Sequence, residues 1–169
     1  DAAGNRTGMI DGSGNSAYAY DGNNRLTGIT KDGDTQVSYG YDDVGNVLSV
    51  TDSKGNETSY TWDKSSRMKT VSFDGNTVTY EYDANGNRES IAYDGGVKEE
   101  YSYDKNNRLL TLVNRKPDGS EISRYSYTYD LAGRQTTKTD SYGTSTYTYD
   151  AVGRIIKAEM PGKTSIYRY

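Results

Sequence analysis

A short signature, aromatic–spacer–aromatic–Asp, recurs along the whole of this 169-residue chain. Its copies end at Tyr18-Ala19-Tyr20-Asp21, Tyr39-Gly40-Tyr41-Asp42, Tyr60-Thr61-Trp62-Asp63 and Tyr80-Glu81-Tyr82-Asp83. They continue with Tyr101-Ser102-Tyr103-Asp104, Tyr127-Thr128-Tyr129-Asp130 and Tyr147-Thr148-Tyr149-Asp150. Asp1 opens the series, and Tyr167-Arg168-Tyr169 supplies one more aromatic pair. Successive aspartates (1, 21, 42, 63, 83, 104, 130, 150) lie 20 or 21 residues apart, except for one interval of 26 that holds an insertion near residues 114–120. A fixed period of this length marks a repeat array, in which each unit packs mainly on its neighbours. Residues 1–169 read as a single array of eight repeats.

Each repeat has the same internal order. Two variable residues follow the Asp, then Gly, Asn or Ser, then Arg or Asn. Arg25, Arg67, Arg108, Gly133-Arg134 and Gly153-Arg154 occupy these places. A strand-like run comes next, then a second turn, marked by Asp11-Gly12, Asp32-Gly33, Lys54-Gly55, Asp74-Gly75, Asp94-Gly95, Asp118-Gly119, Tyr142-Gly143 or Pro161-Gly162. Asp-Gly between alternating strands predicts a type I′ hairpin turn, which needs positive φ at both central residues. The Asp after the aromatics predicts a turn in which its carboxylate accepts a backbone N–H two residues on, with Gly or Asn tolerating the left-handed conformation. Each repeat is then a β-hairpin. The chain as a whole is an all-β antiparallel meander of about sixteen short strands, forming a curved strip, a spiral shell segment or a barrel. No segment shows the 3.6-residue period of a helix.

Side chains two apart on a strand share a face, so the two aromatics before each Asp lie together and form parallel ladders across the sheet. The eighth residue after each Asp is Met9, Ile29, Val50, Val71, Ile91, Leu112, Lys138 or Ala158, and all but Lys138 are apolar. Only 32% of residues are hydrophobic and mean hydropathy is −0.96, yet aromatics reach 12%, too many for a disordered chain. Cross-strand aromatic and β-branched pairs, each contributing about 0.2–1 kcal/mol, explain how so polar a sequence folds. On this reading Tyr80, Tyr82, Tyr101 and Tyr103 are less than about a third exposed, and middle repeats are more buried than end ones. The Arg four residues after the Asp is expected over a tyrosine ring.

The same composition excludes several functions. With a pI near 4.9, the chain is a poor neutraliser of phosphates, which argues against nucleic acid as a partner. No apolar run approaches the ~18 residues of a membrane span. There is no Cys and no His, so zinc, haem and Ser-His or Cys-His chemistry have no ligands or bases. No catalytic, metal or cofactor residue is assigned. Asp11-Gly12-Ser13-Gly14-Asn15 and Asp83-Ala84-Asn85-Gly86-Asn87 space oxygens as calcium loops do, but lack the distal Glu. A stacking platform for glycans is the alternative use of the tyrosine ladders, and structural packing is the favoured one, because a binding site rarely recurs in every repeat.

Tyr-Asp, a variable pair and Gly-Arg, repeating every twenty or so residues, resembles the YD repeat of the Rhs family, which includes bacterial polymorphic toxins, insecticidal toxin-complex shell proteins, wall-associated proteins and teneurins. The resemblance covers the whole chain. It implies a β-hairpin strip that spirals into a hollow shell, within a secreted or surface-displayed bacterial protein and around an effector in the toxins. The chain has no Asp-Pro pair, so the resemblance carries the repeats and not the self-cleaving core. The expected partners are flanking repeats of a longer parent or other copies, engaged through the edge strands at residues 5–10 and 164–169, and an enclosed effector domain.

Overall fold

Period-2 alternation interrupted every eight to twelve residues by Gly, Asn and Asp leaves little choice but short strands and tight turns. The structure, a computed structural model, describes all of Asp1–Tyr169. Its first eight strands are Gly8–Asp11 (β1), Gly14–Tyr20 (β2), Leu26–Lys31 (β3), Asp34–Tyr41 (β4), Val47–Asp52 (β5), Glu57–Trp62 (β6), Met68–Phe73 (β7) and Asn76–Tyr82 (β8). The rest are Arg88–Tyr93 (β9), Lys98–Tyr103 (β10), Leu109–Arg115 (β11), Glu121–Tyr129 (β12), Gln135–Asp140 (β13), Gly143–Tyr149 (β14), Ile155–Met160 (β15) and Lys163–Ile166 (β16). They follow one another in chain order in a single antiparallel sheet, with β1 and β16 at its edges. The sheet is not closed, so of the three expected forms the barrel is not the one adopted. No helix is long and apolar enough to cross a membrane.

Two compact units, Asp1–Thr79 and Tyr80–Tyr169, are best described in turn. In the first, Tyr18 stands opposite Ile29, Tyr39 opposite Val50 and Tyr60 opposite Val71. The second aromatic of each pair meets a residue near the strand start: Tyr20 meets Leu26, Tyr41 meets Val47 and Trp62 meets Met68. Between these two pairings one residue, Thr27, Leu48 or Lys69, has no partner, because the register shifts there. This is a β-bulge, and it solves a parity problem. Leu26 and Ile29 are three apart and would face opposite ways in a regular strand; the extra residue puts both opposite tyrosines.

The second unit repeats the scheme. Tyr101 pairs with Leu112, Tyr127 with Lys138 and Tyr147 with Ala158, while Tyr103, Tyr129 and Tyr149 meet Leu109, Gln135 and Ile155. Leu110, Thr136 and Ile156 are the bulged residues. Lys138, the polar exception in the apolar series, keeps its ammonium 5.0 Å from the Tyr125 ring centre and pairs with Asp140. The insertion near 114–120 extends the β11–β12 hairpin, whose tip is Lys116–Ser120.

The core is thin. Ile91, Val113, Ala158 and Ser90 are the buried residues, and the aromatics ahead of each Asp are half-buried in the interior repeats. At the β16 edge Tyr167 and Tyr169 are 45% and 71% exposed, the contrast between middle and end that ladder packing requires. The opposite face carries hydroxyl pairs across strands, such as Thr61 with Thr70 and Ser102 with Thr111, each 2.6 Å apart.

The distal turns depart from the sequence reading. Both central residues have positive φ at Asp32-Gly33 (51° and 96°) and at Asp74-Gly75 (50° and 77°), as type I′ demands. Pro161-Gly162, between paired Met160 and Lys163, instead places positive φ on Gly162 alone, which suits a type II turn with Pro at its second position. At the first and seventh hairpins the central residues are Gly12-Ser13 and Ser141-Tyr142, one step from the expected pairs, because Asp11 and Asp140 accept the N–H of Ser13 and Tyr142. Gly75 and Gly12 both have open space where a Cβ would stand, and only Gly75 has positive φ. Gly75→Ala is therefore expected to cost about 1–2 kcal/mol in urea denaturation, the penalty of an L side chain in that region, while Gly12→Ala is neutral or slightly stabilising.

Candidate functional site: the ridge of aspartate turns

The eight Asp positions form the proximal turns, which within each unit line one side of the sheet. In each, the same backbone closes: Asp21 N–H donates to Arg25 O and Asn24 N–H to Asp21 O, both at 3.0 Å, and the pattern repeats at Asp42, Asp63, Asp83, Asp104, Asp130 and Asp150. The fourth residue takes positive φ, whether it is Gly45, Gly133 and Gly153 or Asn24, Ser66 and Asn107. One carboxylate oxygen of the Asp accepts two N–H groups; for Asp104 these are Asn106 at 2.8 Å and Arg108 at 3.0 Å. The other oxygen takes the side chain of the fifth residue. Arg25, Arg67, Arg108, Arg134 and Arg154 reach it through Nε at 2.6–2.7 Å, and Asn46 and Asn87 through Nδ2 at 2.8 and 2.9 Å.

From this clamp two bonds cross to the next repeat. Arg25 lays its guanidinium 4.7 Å from the Tyr41 ring centre and donates Nη1 to Asp42 O at 2.7 Å. Arg108 does the same with Tyr129 and Asp130, and Arg134 with Tyr149 and Asp150. In return the aromatic nearest the Asp donates backward to the first carbonyl after the clamp. Tyr41 Oη reaches Leu26 O at 2.8 Å, Trp62 Nε1 reaches Val47 O at 2.7 Å, Tyr129 reaches Leu109 O at 2.9 Å and Tyr149 reaches Gln135 O at 2.7 Å. Those carbonyls lie beyond the last ladder pair of their own hairpin, so the ring tip stands in for a missing strand bond.

Two features escape the sequence reading. Asp52-Ser53-Lys54-Gly55-Asn56, where the sequence predicts a Lys-Gly hairpin, is a ninth clamp at the distal edge: Asp52 accepts from Lys54 N, Asn56 N and Asn56 Nδ2, and Gly55 has φ 83°. The Asp-x-x-Gly-Asn spacing that reveals it is present in the chain. The second is a charged break in the aromatic face. Glu99 accepts from Tyr93 Oη at 2.7 Å and from Tyr101 Oη, and Arg88 lies 5.7 and 5.8 Å from the ring centres of Tyr80 and Tyr101. The bond to Glu99 pushes the Tyr93 phenol up to about 12.

These carboxylates are committed to N–H groups rather than gathered for chemistry. Asp83, of the calcium-like spacing, accepts from Asn85 N, Asn87 N and Asn87 Nδ2, and Asp11 accepts from Ser13 N and Oγ. The backbone N–H of the Arg four residues on, more than any other influence, holds Asp21, Asp63, Asp104, Asp130 and Asp150 below the ordinary carboxylate range, against a smaller desolvation effect.

The repeat, the clamp and the open meander together define a YD-type hairpin array. The chain belongs to the RHS Repeat family, which it matches over residues 1–39, 41–77, 103–145 and 129–165. No curated protein matches it by sequence. Among solved structures it is similar to TcdB2-TccC3-TEV, at 19% identity and TM-score 0.75, covering 90% of this chain. It is also similar to TcdB2-TccC3-Cdc42 (20%, 0.66, 89% of this chain) and to a Photorhabdus luminescens Tc holotoxin pore (21%, 0.65, 85%). The chain spans only 8–9% of the length of these proteins, and the likeness establishes the shared fold.

Because these Asp groups titrate lower when folded than when unfolded, their stabilisation is complete above the unfolded value of about 3.9 and is lost as pH falls through the folded values. Denaturation midpoints should be flat from pH 7 to about 5 and drop below about 4, with a shallower drop in Asp104→Asn/Asp130→Asn. In an alkaline spectrophotometric titration Tyr93 should ionise near 12, and Glu99→Gln should bring it back toward about 10.

Proposed function

We propose that the chain is a non-catalytic segment of wall in a large secreted or surface-displayed bacterial protein, where YD-repeat hairpins enclose or display a toxin or effector. The observation that carries this reading is the sameness of the ridge. Every proximal turn spends its Asp on the same places, the N–H groups and fifth side chain of its own turn, so none of these carboxylates stands apart from the rest. A reaction centre needs groups whose environments differ, with one poised apart from the rest. The relatives in fold are toxin-complex chains far longer than this one, which fits a segment flanked by further repeats.

The tyrosines argue the same way. A glycan platform needs ring faces and hydroxyls turned to solvent, whereas Tyr41, Tyr129 and Tyr149 are half-buried with their hydroxyls on backbone carbonyls. The hollow beside Tyr60, Trp62 and Met68 is the best remaining glycan candidate, and Trp62 reports on it directly. Titrating common bacterial and host oligosaccharides against Trp62 fluorescence should give no saturable change. In the longer parent chain, limited proteolysis should spare the enclosed segment until Asp104→Ala and Asp130→Ala loosen the wall. Saturable sugar binding, or equal cleavage with and without those substitutions, would overturn the proposal.

A further inference from the structure

Within each unit successive turns meet, and the residue types at each meeting are matched. Counting the Asp as first, the fifth residue of one turn precedes the fourth residue of the next. Asn5 is followed by Asn24, Asn46 by Ser66 and Asn87 by Asn107, whereas Arg25 is followed by Gly45, Arg67 by Gly86, Arg108 by Gly133 and Arg134 by Gly153. After Arg the next turn always has glycine at its fourth place, and after Asn it always has a polar side chain there.

The geometry gives the reason. Arginine is long enough to reach past its own Asp to the next one's carbonyl, as Arg25, Arg108 and Arg134 do at 2.7, 3.0 and 3.3 Å. The next turn then needs no side chain at its fourth place, where positive φ favours glycine. A Cβ on Gly45, Gly133 or Gly153 would stand 3.8–3.9 Å from the guanidinium. Anything larger must share that space with the Arg. Asparagine is too short for the carbonyl. Its Nδ2 instead finds an acceptor on the next turn's fourth side chain: Asn24 Oδ1 at 2.9 Å from Asn5, Ser66 Oγ at 3.2 Å from Asn46 and Asn107 Oδ1 at 2.8 Å from Asn87. That bond offsets the strain of a non-glycine residue at φ 61°, 56° and 59°.

We infer that these two positions form a matching rule between neighbouring turns, Arg with Gly and Asn with Asn or Ser, that decides which turn docks beside which. The order of types makes the rule useful. Over the first six turns Gly-Asn alternates with Asn-Arg or Ser-Arg: Gly4-Asn5, Asn24-Arg25, Gly45-Asn46, Ser66-Arg67, Gly86-Asn87, Asn107-Arg108. If one hairpin were skipped, Asn5 would face Gly45 and Arg25 would face Ser66, a mismatch each time. Near-identical repeats invite such slips, and over these six turns the rule penalises them. It also specifies what fits beside Arg154, whose side chain is 51% exposed against 24–34% for Arg25, Arg67, Arg108 and Arg134: a turn with glycine at its fourth place.

Two double-mutant cycles on the intact chain test the rule. Arg25→Asn, Gly45→Asn and their combination convert an Arg–Gly meeting into an Asn–Asn one; the left-handed strain that Gly45→Asn introduces is present with either partner and cancels. Asn87→Arg, Asn107→Gly and their combination make the reverse exchange and serve where the first set is too unstable to measure. Each double variant should unfold with an equilibrium constant about three- to tenfold more favourable to the native state than the two single changes multiplied together. Additive behaviour in either measurable cycle, or a double variant worse than additive, overturns the rule.

Discussion

Each repeat's aspartate takes two backbone N–H groups on one oxygen, and that acceptance determines the geometry downstream. Bending the chain so that the third and fifth residues of the turn both point at one carboxylate throws the residue between them into the left-handed region, as at Asn107 between Asn106 and Arg108. The strand then leaves the turn offset from its neighbour, and the ladder absorbs the offset a little further on as a bulge at Leu110. The bulge is what lets Leu109 and Leu112 both meet tyrosines. Without the carboxylate's double acceptance the apolar residues would lie on the wrong parity, and the aromatic face would lose half its partners.

Stability built this way is spread thin. No large side chain is fully buried, so no single contact dominates, and each cross-strand pair or clamp contributes only a modest increment. The salt bridges alone would not suffice, since partly exposed ion pairs are worth little in water. Their value lies in geometry: Nε of Arg25 on Asp21 aims the rest of the guanidinium over Tyr41 and at Asp42 O. An Arg tethered at both ends links one hairpin to the next through side chains, beside the strand ladder.

Much of this is legible in the amino-acid order, because turns and strand alternation act over a few residues. The period, the hairpins, the two aromatic ladders and the Asp acceptors follow from spacing and from the chemistry of Asp, Gly and Asn. The bulge is not legible. Alternation counted back from Ile29 places Leu26 on the far face, and only the pairing of Tyr20 with Leu26 shows that Thr27 steps out of line. Turn type differs from the sequence reading where an Asp one residue earlier captures the N–H of Ser13 or Tyr142 and recentres the loop. The pairing of Glu99 with Tyr93 and Tyr101 is also hidden: Glu99 stands opposite Ile91 and Tyr93 reaches it diagonally across the hairpin, which a ladder defined only by the Asp does not capture.

Repetition itself limits what such a surface can do and points to what it does well. A site that must discriminate needs one place unlike the others, and here the proximal turns differ in the exposed pair that follows the Asp and, in a matched way, in their fourth and fifth residues. Those differences act between neighbours: Asn87 reaches Asn107, and Arg108 reaches Asp130. The variation at the fourth and fifth places is thus directed along the array, from each turn to the next. A chain that uses its sequence variation to recognise its own next repeat is suited to building an extended surface in a fixed order, and over the first six turns the alternation of Gly-Asn with Asn-Arg or Ser-Arg makes two hairpins, rather than one, the unit of that order.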